Sequence, residues 1–327
     1  IPNTGTLEAN LRSGSIDMVS TLGMSFDQAL AFDRRVEDSD LPFDVNFRAG
    51  FVYEHIDLDL DEPVLQDPRV RRALVYAIDR ERLTEALFEG RQPPALHFEA
   101  PASPWYTDDP EKIVVYEHSR RTAAELLDEA GWTLGEDGLR YDQQGNPLRL
   151  TLSTTAGNKM REIVQVYLQD QWRAIGVDTR IQNGPARIFF GQTIRRRLFD
   201  GAAMYAWIQS PELSPRPTVH STQIPSEANG WSGQNNPGWA SPRVDWLVEA
   251  LEAEFDAGKR LALIHEILWH YTSEVPVIPL YYRSENSVTP ANLTGYRVTA
   301  HQVYATNHVE RWNLEQVPAE RVGKTGP

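Results

Sequence analysis

Apolar and polar residues alternate between Phe43 and Leu60. Phe43, Val45 and Phe47, then Ile56, Leu58 and Leu60, recur at period two, the spacing of half-buried strands. Upstream, Leu7, Ala9 and Leu11 predict a short amphipathic helix over residues 6–14, with Thr4 or Thr6 as cap and Gly14 as stop. Ile16-Asp17-Met18-Val19 predicts a short strand, and Phe26 to Arg35 a second helix. Asp67-Pro68 opens what reads as one long helix, with Val70, Leu74, Ala77, Ile78 and Leu83 on one face and Gly90 at its end. Five prolines between 91 and 110 impose an extended path. Helices are then predicted over 120–131, 159–175 and 186–197, and strands over 148–153, 177–182 and 202–208. Turn signals at Asp137-Gly138 and Gln144-Gly145-Asn146-Pro147 frame a hairpin before the first of these strands.

This alternation of helix and strand predicts an α/β sheet domain. Residues 209–243, rich in Pro, Ser, Asn and Gly, read as one long loop carrying Trp231 and Trp239. Two helices follow over 244–255 and 260–271. The apolar run Glu274 to Tyr282 contains Pro276 and Pro279, which mark an edge or crossing strand.

A chain of 327 residues is long enough for two domains of ordinary size. The net charge of −14 makes nucleic acid an improbable partner, because such a surface repels phosphate backbones. The apolar runs fall short of the roughly 20 residues that cross a bilayer. With no cysteine, disulfides, thiolate metal sites and cysteine nucleophiles are excluded. Ile1-Pro2-Asn3-Thr4 reads as the interior of a longer protein, so the chain is expected to be a processed or truncated piece.

Catalytic and metal motifs are near-misses. His265 and His270 on the 260–271 helix are five residues apart, about 140° around the axis, whereas a shared zinc needs the i, i+4 spacing. Gly230-Trp231-Ser232-Gly233 lacks the glycine spacing of a nucleophile elbow. Asp57, Asp59 and Asp61 share one strand face without a calcium-loop spacing and read as a solvated face. Arg195-Arg196-Arg197 suits a helix C-terminus, or a ligand carboxylate. Asn292-Leu293-Thr294 is a formal glycosylation sequon and nothing more. No metal or cofactor is expected.

Five stretches, in order, resemble the peptide/nickel/dipeptide solute-binding proteins of ABC importers, family 5. They are Asn3-Thr4 through Gly14-Ser15-Ile16-Asp17-Met18; Asp67-Pro68-Arg69-Val70-Arg71-Arg72-Ala73-Leu74 with Ala77-Ile78-Asp79-Arg80; Arg121 to Trp132; Gln169 through Ile175-Gly176-Val177; and Val275 to Tyr282. The resemblance implies a periplasmic-binding-protein-like type II (Venus flytrap) fold. It implies a complete α/β lobe over residues 63–275, flanked by parts of a split lobe over 1–62 and 276–327. Ligand would be enclosed between the lobes, and a membrane permease would receive it. A periplasmic or membrane-tethered location is implied, through a signal this chain does not carry, and a monomer is expected.

The resemblance also implies ligand contacts at the end of the 202–208 strand and just after it: Trp207, Gln209, Ser210 and Glu212. Gln or Ser stands where peptide binders have an Asp for the α-amine, so either Glu212 substitutes or the ligand lacks a free amino terminus. Trp231 in the long loop and the Tyr282 hydroxyl are further candidates. Two other readings stay open: a carbohydrate-active hydrolase using Glu212 or Asp200 with tryptophans stacking a sugar, and a non-transport sensor domain with the same fold.

Overall fold

The computed structural model describes residues 4–210, 213–301 and 305–315. The chain divides into two compact units, one of residues 1–51 and 283–327, the other of residues 52–282. Two long strands, β1 (Phe43–Leu58) and β5 (Val277–Pro290), run through both units.

In the larger unit, β2 (Arg149–Ser153), β3 (Asp178–Ile181) and β4 (Ala202–Ile208) join these two in a sheet of order β3-β2-β4-β1-β5. β2 lies parallel to both β3 and β4, and the helix Lys159–Arg173 makes the crossover from β2 to β3. β4 runs antiparallel to β1, with Trp207 opposite Tyr53 and Tyr205 opposite His55. β5 closes one edge, in keeping with its prolines. Residues 93–95 cover that edge: the Ala95 amide donates to Leu280 O at 3.1 Å, and the Tyr282 amide to Pro93 O at 2.9 Å.

The run from Asp67 to Gly90 is two helices, Pro68–Tyr76 and Arg80–Phe88, where one was expected. Asp79 makes the break. Its backbone leaves the helical region, and its carboxylate accepts from the Arg82 amide at 2.9 Å, starting a new helix. The break lets the buried Arg80 donate to Ala95 O at 2.6 Å and Tyr116 O at 2.9 Å. Arg71, also buried, donates to the carbonyls of Leu65, Gln66, Glu274 and Val275, tying its own helix to the end of helix Ala257–Glu274. Trp172 is fully buried, and its indole N–H donates to Leu74 O at 3.0 Å, so even this core ring leaves no polar atom unpaired.

The long loop contains three short helical turns, at Arg216–Val219, Ser221–Gln223 and Glu227–Asn229. It is pinned by the fully buried Asn235, which donates to His220 O and Trp239 O and accepts from the Trp239 amide. Gly233 has φ +98°, and a Cβ there would meet Gln223 O at 2.1 Å, so only glycine fits this crossing.

In the smaller unit, Leu7, Leu11, Val19, Met24, Ala29, Phe32 and Val288 form the core, with Phe43, Val45 and Phe47 of β1 packed on it. The expected strand at 16–19 reduces to one bridge, Val19 to Val288, with amide-to-carbonyl distances of 2.9 and 2.8 Å.

Candidate ligand-binding site

β4 sits between β2 and β1, so its first four residues are buried on both faces and its last three emerge. Trp207 is therefore half-buried. It packs against Phe189, Ile194, Phe199, Ala203 and Tyr205 and keeps part of its ring exposed. Gln209 is half-buried next along the chain, and its amide nitrogen is enclosed without a hydrogen-bond partner among the described residues. Ser210 is exposed, and Glu212 lies outside the described residues. An aromatic wall beside a spare amide donor suits a small ligand with a planar or apolar part and a hydrogen-bond acceptor.

The other candidates lie elsewhere. Tyr282 is buried in the larger unit, and its hydroxyl hydrogen-bonds the carbonyls of His97, at 2.9 Å, and Glu99, at 2.8 Å. Trp231 is half-buried in the long loop, with the Arg196 guanidinium 5.7 Å from its ring centroid. His265 is half-buried, and His270 Nδ1 lies 3.1 Å from Glu274 Oε1. Asp200 is exposed.

The aspartate series is not a solvated face. Asp57 is buried and accepts a short hydrogen bond from the Tyr205 hydroxyl, and His55 Nε2 lies 3.3 Å from its other oxygen. Asn236 donates to the Tyr205 oxygen at 2.8 Å, while the His55 ring stacks on Tyr53 and meets Tyr205 edge-on. Burial, then the neighbouring Asp57 charge, hold Tyr205 far above the usual phenol range, so its proton stays on the donor. Asp59 is buried too, 3.1 Å from Arg197, and burial raises it to about 6 despite that cation. Only Asp61 reaches solvent, and Arg197 holds it at 2.8 Å.

A second internal pair does not show in the motifs. Glu54 on β1 is 1% exposed and takes both arms of Arg161, at 3.1 and 3.2 Å; the same guanidinium donates to Thr155 Oγ1. The pair anchors the start of helix Lys159–Arg173 to strand β1 of the sheet. A charge at a period-two position that should face inward was the available signal. Among the described residues, no group of three or more His, Asp or Glu side chains is placed to hold a metal ion.

A mixed sheet of this order with covering helices is an α/β architecture, here of the periplasmic-binding-protein type II class. The family model for bacterial extracellular solute-binding proteins, family 5 Middle, matches residues 1–225, and the chain belongs to that family. It is 25% identical over 315 residues to the oligopeptide-binding protein AppA of Bacillus subtilis, covering 96% of this chain and 55% of AppA. It is 27% identical over 225 residues to the nickel-binding periplasmic protein of Escherichia coli, covering 68% of this chain and 41% of that protein. The crystal structure of an oligopeptide-binding protein from Thermus thermophilus with a pentapeptide superposes with a TM-score of 0.73 at 29% identity, over 90% of this chain and 52% of that one. The chain thus spans about half the length of the relatives it matches.

Proposed function

We propose that this chain is part of an extracytoplasmic solute-binding subunit of an ABC importer. It captures a peptide-like or other small polar ligand as a monomer and delivers it to a membrane permease without making or breaking a bond. Family membership supports the class, and the relatives compared above are binding proteins. The observation that carries the site is the end of β4, where Trp207 offers a partly exposed ring and Gln209 an enclosed, unpartnered amide. Ser210 and Glu212 complete the candidate contacts. The hydrolase reading gains no support, because the relatives compared above are binding proteins.

The test is calorimetry on the full-length protein with di- to pentapeptides, a nickel–histidine chelate, opines and oligosaccharides. One class is expected to bind with micromolar affinity. Trp207→Ala is expected to weaken it about 30-fold, near 2 kcal/mol, and Gln209→Ala about tenfold. Unchanged affinity in Trp207→Ala would place the ligand elsewhere.

A further inference from the structure

Three consecutive arginines meet three different fates. Arg197 lies in the left-handed region at φ +52°, with Asp59, Asp61 and the carbonyls of Asn236 and Pro237 around its guanidinium. Arg195 and Arg196 are exposed, and neither has an ion-pair or hydrogen-bond partner for its guanidinium among the described residues. Both line one open cavity of about 440 Å³, together with Gly191, Gln192, Gly230 and Trp231.

The local backbone explains how this cavity arises. The expected helix over 186–197 is a short α turn, Ala186–Ile188, that widens into a π turn over Phe189–Ile194. In the wider turn, residues four and five apart share a face. Phe189 and Ile194 then point together into the core that carries Trp207, while Gly191 with Arg195 and Gln192 with Arg196 face the cavity. A regular α-helix would turn Ile194 about 140° away from Phe189 and so break that shared core face. Opposite stands the corner Gly230-Trp231, both residues left-handed at φ +66° and +60°. Asn229 braces it by accepting from the Ser226 and Ser232 amides and donating to Ile224 O. An indole held in that backbone region is strained, and strain of this kind gathers at binding sites. The Arg196 guanidinium carbon lies 5.7 Å from the centroid of this ring, within cation–π reach.

We infer that this cavity is a second ligand site, one that takes a small oxyanion, either a carboxylate or a phosphate ester, in the fork of Arg195 and Arg196. Guanidinium groups bind both anions through paired N–H donors. The cavity is lined by residues of the larger unit, none of which belongs to the cluster that packs Trp207, so its test does not depend on the import reading. The chain's net charge of −14 opposes anions at long range, so contact rather than steering must supply the affinity.

Calorimetry on the full-length protein with acetate, benzoate, inorganic phosphate and phenyl phosphate tests it. Benzoate or phenyl phosphate is expected to bind at millimolar concentration or better, and whichever binds more tightly assigns the anion class. The double substitution Arg195→Gln with Arg196→Gln should weaken that probe at least tenfold. Arg180→Gln, at an exposed arginine outside the cavity, should leave it unchanged. Gly191→Phe fills the cavity without removing a charge, since a Cβ at Gly191 meets no atom within 4 Å, and should also abolish binding. An unchanged thermal midpoint identifies variants that still fold. Silence from all four probes, or equal affinity in the double variant, would overturn the assignment.

Discussion

Between Phe43 and Ala49, strand β1 keeps Phe43, Val45 and Phe47 half-buried on the core of the smaller unit and leaves Asp44 and Arg48 exposed. From Tyr53 to Leu58 the same strand is buried at every position, including Glu54, His55 and Asp57. The difference is one of flanks rather than of pattern. The second half has β4 pairing along it and helices packed on the sheet, so its polar side chains have no water and must find partners inside. Polar alternation means a solvated face only where that face has nothing packed on it.

The largest expected difference between the halves follows from Glu54. Glu54→Ala strands the buried Arg161 guanidinium and should destabilise the larger unit by about 3–5 kcal/mol. Asp44→Ala, at an exposed position, should stay within about 0.5 kcal/mol. Urea unfolding followed by circular dichroism measures both, and a small loss for Glu54→Ala would mean that the second half tolerates unpaired charge. Next comes Tyr205→Phe. It takes the donor from Asp57 and the acceptor from Asn236, for an expected loss of about 1–3 kcal/mol in the same experiment.

The elements themselves were largely legible, because periodicity and caps are local. The helices over Arg120–Glu129 and Lys159–Arg173 and the strand Ala202–Ile208 stand close to where spacing puts them. What failed was long-range. Asp57, Asp59 and Glu54 carry no mark of the Tyr205, Arg197 and Arg161 that satisfy them, which lie more than a hundred residues away. The split at Asp79 does not show in the apolar spacing, which runs on across it. The stretch Asp67 to Arg80, one of the five that carry the family resemblance, is structural: Asp67 and Asp79 cap helices, while Arg71 and Arg80 bind backbone carbonyls. A family signature can therefore identify a fold while staying silent about the ligand.

Asp59, just past the buried half, sharpens the comparison by its titration. Burial raises its folded pKa from 3.8 to about 6, so the folded chain takes up the proton before the unfolded one. Its contribution therefore runs opposite to that of an ion-paired carboxylate: stability rises as pH falls from about 6 towards 4. The gain is at most about 2 kcal/mol once partial screening by solvent is allowed for. Asp59→Asn should flatten that slope in urea titrations run at intervals across the window. A slope that survives the substitution would assign it to another group.

The smallest effect belongs to the first half of β1 and is its closest analogue to the internal pairs. Asn46 Nδ2 donates to Thr289 Oγ1 at 3.2 Å, a side-chain bridge from β1 to β5 within the smaller unit. Unlike Tyr205, Asn46 is half-buried, so water can replace the partner that a substitution removes. The net worth of such a bond is then near the bottom of the usual range, about 0.5 kcal/mol. Asn46→Ala, Thr289→Val and the double variant form a cycle that isolates this coupling from the packing of the Thr289 methyl group. A coupling of about 0.5 kcal/mol supports the distinction between the halves. A coupling as large as the loss in Tyr205→Phe would break it, because solvent access would then not be what separates them.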